Sequence, residues 1–507
     1  MTTRISGLST GMDIDTMVTN LMKAQRAPLD TLTQKKTLLE WKKSDYSDMY
    51  SKLREFRNKT FDFKLSDSLS PMKTVSTDES VATATASGDA ANVSHTLSVT
   101  QLASGASVTT VALGSATDKT SLSTQFATAL GGITSDTFTI NLNGKDITVD
   151  KTKSIYDFVS SVNKADVGVK ASYDATLDRV FFSSSTSGAA AKVDFSGTAA
   201  GSDGETFLNG ALKLNDVGTA KVAGSDATFT LDGMELTKSS NSFTIAGVTY
   251  TLKKADPIDP AIPGDKSTAV ATIGISKDVD KTIENVKAFI KEYNSMLDAV
   301  NTAVNAKRYK DYLPLTSEQR KEMSDDDIKS WETKAKSGML RNDAILTSLA
   351  SGIRNDFSDP VSGITSKYNS AAAIGITTGD YSENGKLYLD ETKLKKALEE
   401  DPDAVSKVFG SSGDARSADG IANRLYDTLK GAMDKIDDKA GVLKGSYDTQ
   451  STMAKEIDDY ADRITALTTR LNDMEDRYYK QFDAMETALN KLNSQASWLQ
   501  QQTGSSS

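Results

Sequence analysis

The 507-residue chain contains no cysteine. No disulfide can staple it, and no thiolate can serve as nucleophile or metal ligand. It has one histidine, His95, inside an alternating stretch that predicts a strand. A lone strand histidine is a surface or packing group, because acid–base and metal chemistry need partners nearby. No run approaches the ~18 apolar residues of a membrane span. The opening MTTRISGLST has none of the apolar character of a signal peptide, so the expectation is a cytoplasmic protein or export without a cleaved signal. Positive charge is in deficit, with 59 Lys and Arg against 69 Asp and Glu. That argues against nucleic acid or an anionic membrane as partner. The motifs HExxH, GxSxG and GxxxxGK[ST] are missing. The acidic runs SDDD (324–327) and EEDPD (399–403) lack the ligand spacing and central glycine of a calcium loop, and read as solvated loops with helix-cap carboxylates. The expectation is therefore no enzyme, no cofactor and no metal site.

What the chain does have is helical periodicity at both ends. From Ile14 the positions Val18, Leu21, Gln25, Pro28, Leu32, Lys35, Leu39, Lys42, Tyr46, Met49, Leu53, Phe56, Thr60 and Phe63 follow alternating steps of four and three. That is a heptad frame with Gln25, Lys35 and Lys42 as polar seam positions. Asp13 and Asp15 suit a helix N-terminus, and Pro28 predicts a fresh helix start or a kink. Near the C-terminus one row holds Ile457, Ile464, Leu471, Tyr478, Met485, Leu492 and Leu499. The other holds Met453, Tyr460, Leu467, Met474, Gln481, Ala488 and Gln495. This spacing runs from 453 to 499 without a slip and predicts a left-handed seam. Heptads specify that a partner exists, not which one: the two ends can pair within the chain, or with neighbouring subunits as an assembly shaft. Trp41, Trp498, Tyr478, Tyr479 and Phe482 are candidate anchors on these arms.

Between the ends the texture changes. Residues 76–280 are acidic and rich in Ser, Thr, Ala, Gly and Val. Hairpins are expected at 137–150, turning at Asn143-Gly144, at 168–185, at 228–237 around Asp232-Gly233, and at 242–254 near Ala246-Gly247. SIYDFVSSVNKA (154–165) reads as a short helix, and DPIDPAIPG (256–264) as an exposed loop. Helical spacing returns at Asp278, again at 342–357 and at 420–440, while 385–410 reads as a strand, a helix capped by Asp390 and stopped before Pro402, and a short helix. The fold class is multidomain α+β. Terminal coiled-coil helices (1–45 and 450–507) and a helical-bundle leg (46–76 and 278–449) enclose nested β-rich heads, one of 77–104 with 226–277 and one of 105–225.

Several blocks resemble the bacterial flagellar hook-associated protein 2, or filament cap, family. They are SGLSTGMDIDTMVTNLMKAQRAPLDTL, VTQLA at 99–103, and SVNKADVGVKASYD at 161–174, where Val162-Asn163 stands for the usual Ile-Asn. LDGMELTKSSNSFTIAGVTYTLKK with DVDKTIENVKAFIKEYNSML, and AAIGITTGDYSENGKLYLDETKLKKALEEDPDAVSKVFG, are the most specific. Residues 105–225 are the least diagnostic. The resemblance implies a non-enzymatic, extracellular assembly factor at the distal filament tip. It would be exported by the flagellar type III system without a cleaved signal. Its partners would be itself, as a homo-oligomeric ring with five subunits expected, and exported flagellin, with a hook–filament junction protein and an export chaperone as further candidates. No nucleic acid and no membrane insertion are implied. On this reading Ile14, Val18, Leu21, Leu32, Leu39, Ile457, Tyr460, Ile464, Leu467, Leu471, Met474, Tyr478, Met485 and Leu492 form the filament and subunit interface. Another axial protein, such as a junction protein, and a tip adhesin binding host ligands are the alternatives. The GKLYLDETKLKKAL block argues against the first.

Overall fold

A computed structural model describes residues 13–216, 221–256 and 269–504. Two compact units emerge. One comprises residues 1–69 with 279–507, and the other residues 70–278. Most of the proline-rich stretch 256–264, and everything before Asp13, lie outside the described residues.

The first unit is helical. Its first helix runs unbroken from Ile14 to Phe63, with Asp13 accepting the Thr16 N–H as cap. Pro28 neither restarts nor ends it. Residues 23–28 are all exposed, so the carbonyl that Pro28 leaves unbonded is positioned to be hydrated. The C-terminal half buries Tyr46, Met49, Leu53, Phe56 and Phe63 against helix Val279–Asn305, which contributes Val286, Phe289, Tyr293 and Leu297. Phe63 stacks on Phe289 with centroids 4.2 Å apart, and Phe409 meets Phe63 edge-on at 5.3 Å. Helix Ala344–Ser358 starts at Asp343, whose carboxylate also accepts from Tyr46 and Lys439. Burial raises that carboxyl, but the bonds from Tyr46 and the helix backbone outweigh it and hold it below the ordinary range. Helix Glu391–Glu400 is capped by Asp390, as its sequence indicates.

The second unit has two hydrophobic cores. One lies under an antiparallel sheet of five strands, ordered Met72–Ser76, Val270–Lys277, Ser94–Gln101, Ala227–Leu231 and Met234–Lys238. The expected leg segment 46–76 thus takes in a whole sheet strand, Met72–Ser76. Residues 72–76 alternate in burial and pair with 273–277, and the helical unit stops at Leu69. The other core is bounded by strands Val169–Asp174 and Arg179–Ser187, hairpin 137–150, and helix Ile155–Lys164. The turn at Asn143 and Gly144 takes φ of 53° and 86°, and that at Asp232 and Gly233 takes 50° and 84°, as type I′ turns require. Asn163 staples the helix to the sheet: its amide donates to the Ala171 carbonyl and its oxygen accepts the Ala171 N–H. His95 sits 2.6 Å from the Asp232 carboxylate, a packing partner at the turn.

Candidate docking helices

The last helix spans Thr452–Gly504. It runs antiparallel to the first, since Lys43 meets Asp448 while Asp15 meets Tyr479. Ile14, Val18 and Met22 on one helix and Leu471 on the other form a separate small core, flanked by Leu29, Leu467, Met474, Tyr478, Tyr479 and Phe482. The Tyr479 hydroxyl donates to Asp15 at 3.0 Å. Arg26 bridges Glu475 at 3.1 Å across an exposed surface. Such a pair contributes about 0–1 kcal/mol, whereas each fully buried apolar side chain contributes about 1.5–3 kcal/mol. The apolar cluster therefore holds the pair.

The expected interface residues divide into three groups. Ile14, Val18 and Leu471 are buried; Leu467, Met474 and Tyr478 are half-buried in the same cluster. Leu32, Leu39, Ile457, Tyr460 and Ile464 are half-buried further along the pair. Leu21, Met485 and Leu492 are exposed, at 45%, 39% and 59%. Leu21 departs from the intramolecular seam for a geometric reason. The packed residues step 14, 18, 22, an i, i+4 row centred on Val18, so Met22 lies in the cluster and Leu21, on the other side of Ile14, faces solvent. Trp41 lies half-buried under the Lys336 ammonium, and Trp498 is exposed.

At the base of the pair, the Asp448 carboxylate has no exposed surface and accepts from Lys43 Nζ at 2.9 Å and from the Ser451 N–H at 3.0 Å. Ser451 in turn caps the last helix by accepting the Ala454 N–H. Gly441 has φ of 62°, and any Cβ there would lie 1.8 Å from the carboxylate. Burial raises the Asp448 carboxyl, but the bonds from Ser451 and Lys43 outweigh it and leave it well below the usual range. A depressed carboxylate stabilises the fold above its unfolded value, and that contribution fades as pH falls towards the folded one. Asp448→Ala is expected to lose about 1.5–3 kcal/mol at neutral pH. The gap to the parent should narrow only below about pH 4. Thermal melts of both proteins from pH 7 to pH 2 check this, and a gap that widens on acidification contradicts it. Nothing in the sequence pointed to the Lys43–Asp448 pair, because its members are 405 residues apart.

Hydrogen exchange should follow the same geometry. Protection is expected to be strongest around residues 46–63, intermediate around 467–478 and weakest over 485–500, where few side chains are covered. Uniform strong protection from 457 to 500 in a verified monomer would contradict this ordering.

The family model for the flagellar hook-associated protein 2 C-terminus matches residues 224–494, and that for its N-terminus matches residues 10–106. A flagellar hook-associated protein 2 of Halalkalibacterium halodurans is 32% identical, over 98% of this chain and 99% of that protein. The chain belongs to the flagellar hook-associated protein 2 family. The Escherichia coli K12 member is 26% identical over 98% of this chain and 97% of its own length. The solved structure of the D1-D2-D3 domains of the Escherichia coli flagellar cap protein FliD covers 82% of this chain and 99% of that one, with a TM-score of 0.50 at 22% identity. That likeness supports the same multidomain α+β fold. Both terminal helices fall largely inside the matched family regions, whereas residues 107–223 lie outside both.

Proposed function

We propose that this chain is a flagellar filament cap: a ring of identical subunits at the distal tip that retains exported flagellin and promotes its folding and polymerisation. The observation that carries the reading is family membership along the whole chain, joined to a terminal helix pair with its own small core. The solved structure that shares this fold is that of the Escherichia coli flagellar cap protein FliD. A docking role for the pair accounts for apolar side chains kept outward on the last helix, among them Met485, Leu492 and Trp498. The role is structural and needs no catalytic group. Export through the flagellar apparatus, an extracellular position at the tip, flagellin as client and a homo-oligomeric state belong to the same proposal. Electron microscopy of filament tips in a deletion strain tests it. Loss of the tip structure, short or absent filaments and flagellin monomer in the medium are expected. Normal capped filaments would overturn the reading.

A further inference from the structure

The two cores of the 70–278 unit are joined by two chain crossings. There, the Ser104 N–H donates to the Ser225 carbonyl at 2.9 Å and the Ser225 N–H donates back at 3.1 Å. Two such strands alone would form a flexible neck. A third element reaches across. Strand Arg179–Ser187 belongs to the second core's sheet, yet its last residue hydrogen-bonds the segment that follows strand Met234–Lys238. The Ser187 hydroxyl donates to the Ser239 carbonyl at 2.6 Å, and the Ala189 N–H donates to Asp226 Oδ1 at 2.7 Å. The Gly188 N–H donates to the Ser104 carbonyl at 3.0 Å, closing the triangle.

Glycine is required where these segments meet. Gly188 has φ of 102°, and a Cβ there would lie 2.6 Å from Ser239 Cβ and 2.8 Å from Asp226 Oδ1. A Cβ on Gly224 would lie 2.2 Å from the Gly188 carbonyl oxygen. Side chains at either place would push the segments apart. Asn241 adds a further tie within the first core. Its amide donates to the Ala103 carbonyl and its oxygen accepts the Ala103 N–H, fixing the strand just before it crosses.

We propose that residues 187–189 form a brace that locks the orientation of the second core relative to the first, so that the two heads move as one rigid body. The brace lies in 107–223, outside the matched family regions, while its anchors Asp226 and Ser239 lie inside one. An inserted head would thus carry its own fastening onto the shared one.

The absence of cysteine allows a clean test. Cysteines introduced at Thr148 and Thr237, one exposed position in each head, carry spin labels in the full chain. Pulsed electron resonance then reads the distance distribution in the parent and in a Ser187→Ala, Asp226→Ala double variant. These truncations lie outside both cores. Circular dichroism confirms folding, and the two single variants give intermediate points should the double variant fold poorly. A narrow distribution in the parent, broadening at least twofold in the double variant, is expected. A broad parent distribution, or an equally narrow one in the folded variants, would overturn the brace.

Discussion

In a Leu471→Asp variant, flagellin is expected to accumulate in the culture medium while the variant itself is still secreted. Leu471 is 5% exposed and faces Ile14, Val18 and Met22. Removing a buried leucine costs about 2–5 kcal/mol, and an unpaired carboxylate in the same place adds a desolvation penalty. Among the described residues the cluster has four buried members, so this loss removes a large share of the apolar packing between the two helices there. The core around Tyr46, Phe56 and Phe289 is separate and should survive. The outcome is therefore a folded, exported protein whose arms come apart, not a globally unfolded one. Limited proteolysis should show new cleavage near residues 14–30 and 465–485, with the main melting transition little changed. Unchanged swimming and unchanged flagellin retention would mean that the helix pair has no docking role.

Deleting residues 450–507 should abolish swimming altogether and leave unit 70–278 folded. The deletion removes Leu471, the exposed arm and the Ser451 cap. It also removes Met453, which belongs to the main helical core, so the remaining helical unit should melt lower. The β cores depend on none of these residues and should retain their strand signal in circular dichroism. Motility complementation together with the spectrum decides the matter. Full restoration of swimming by the truncated chain would remove the last helix from the function.

Much was legible in the sequence because local rules settle it. Periodicity marked both terminal helices and the buried face of helix 279–305. Asn143-Gly144 and Asp232-Gly233 specified turns that need positive φ at both central residues. Asp390 fixed a helix start. The family followed from long blocks in order, since each block alone carries little information.

What tertiary structure decided was partnership and register. A heptad cannot name its partner, so only the fold showed the two ends antiparallel, with Met22 rather than Leu21 against Leu471. Residues 72–76 looked like the end of a leg, yet pairing with 273–277 placed them in a head sheet, because strand pairing depends on a segment two hundred residues away. Pro28 stayed within a helix, since residues 23–27 before it are exposed and packing further along holds the rest. The Asp448 clamp and the Ser187–Ala189 brace are made of ordinary polar residues and glycines. Their roles arise from contacts between distant segments, which composition and spacing do not encode.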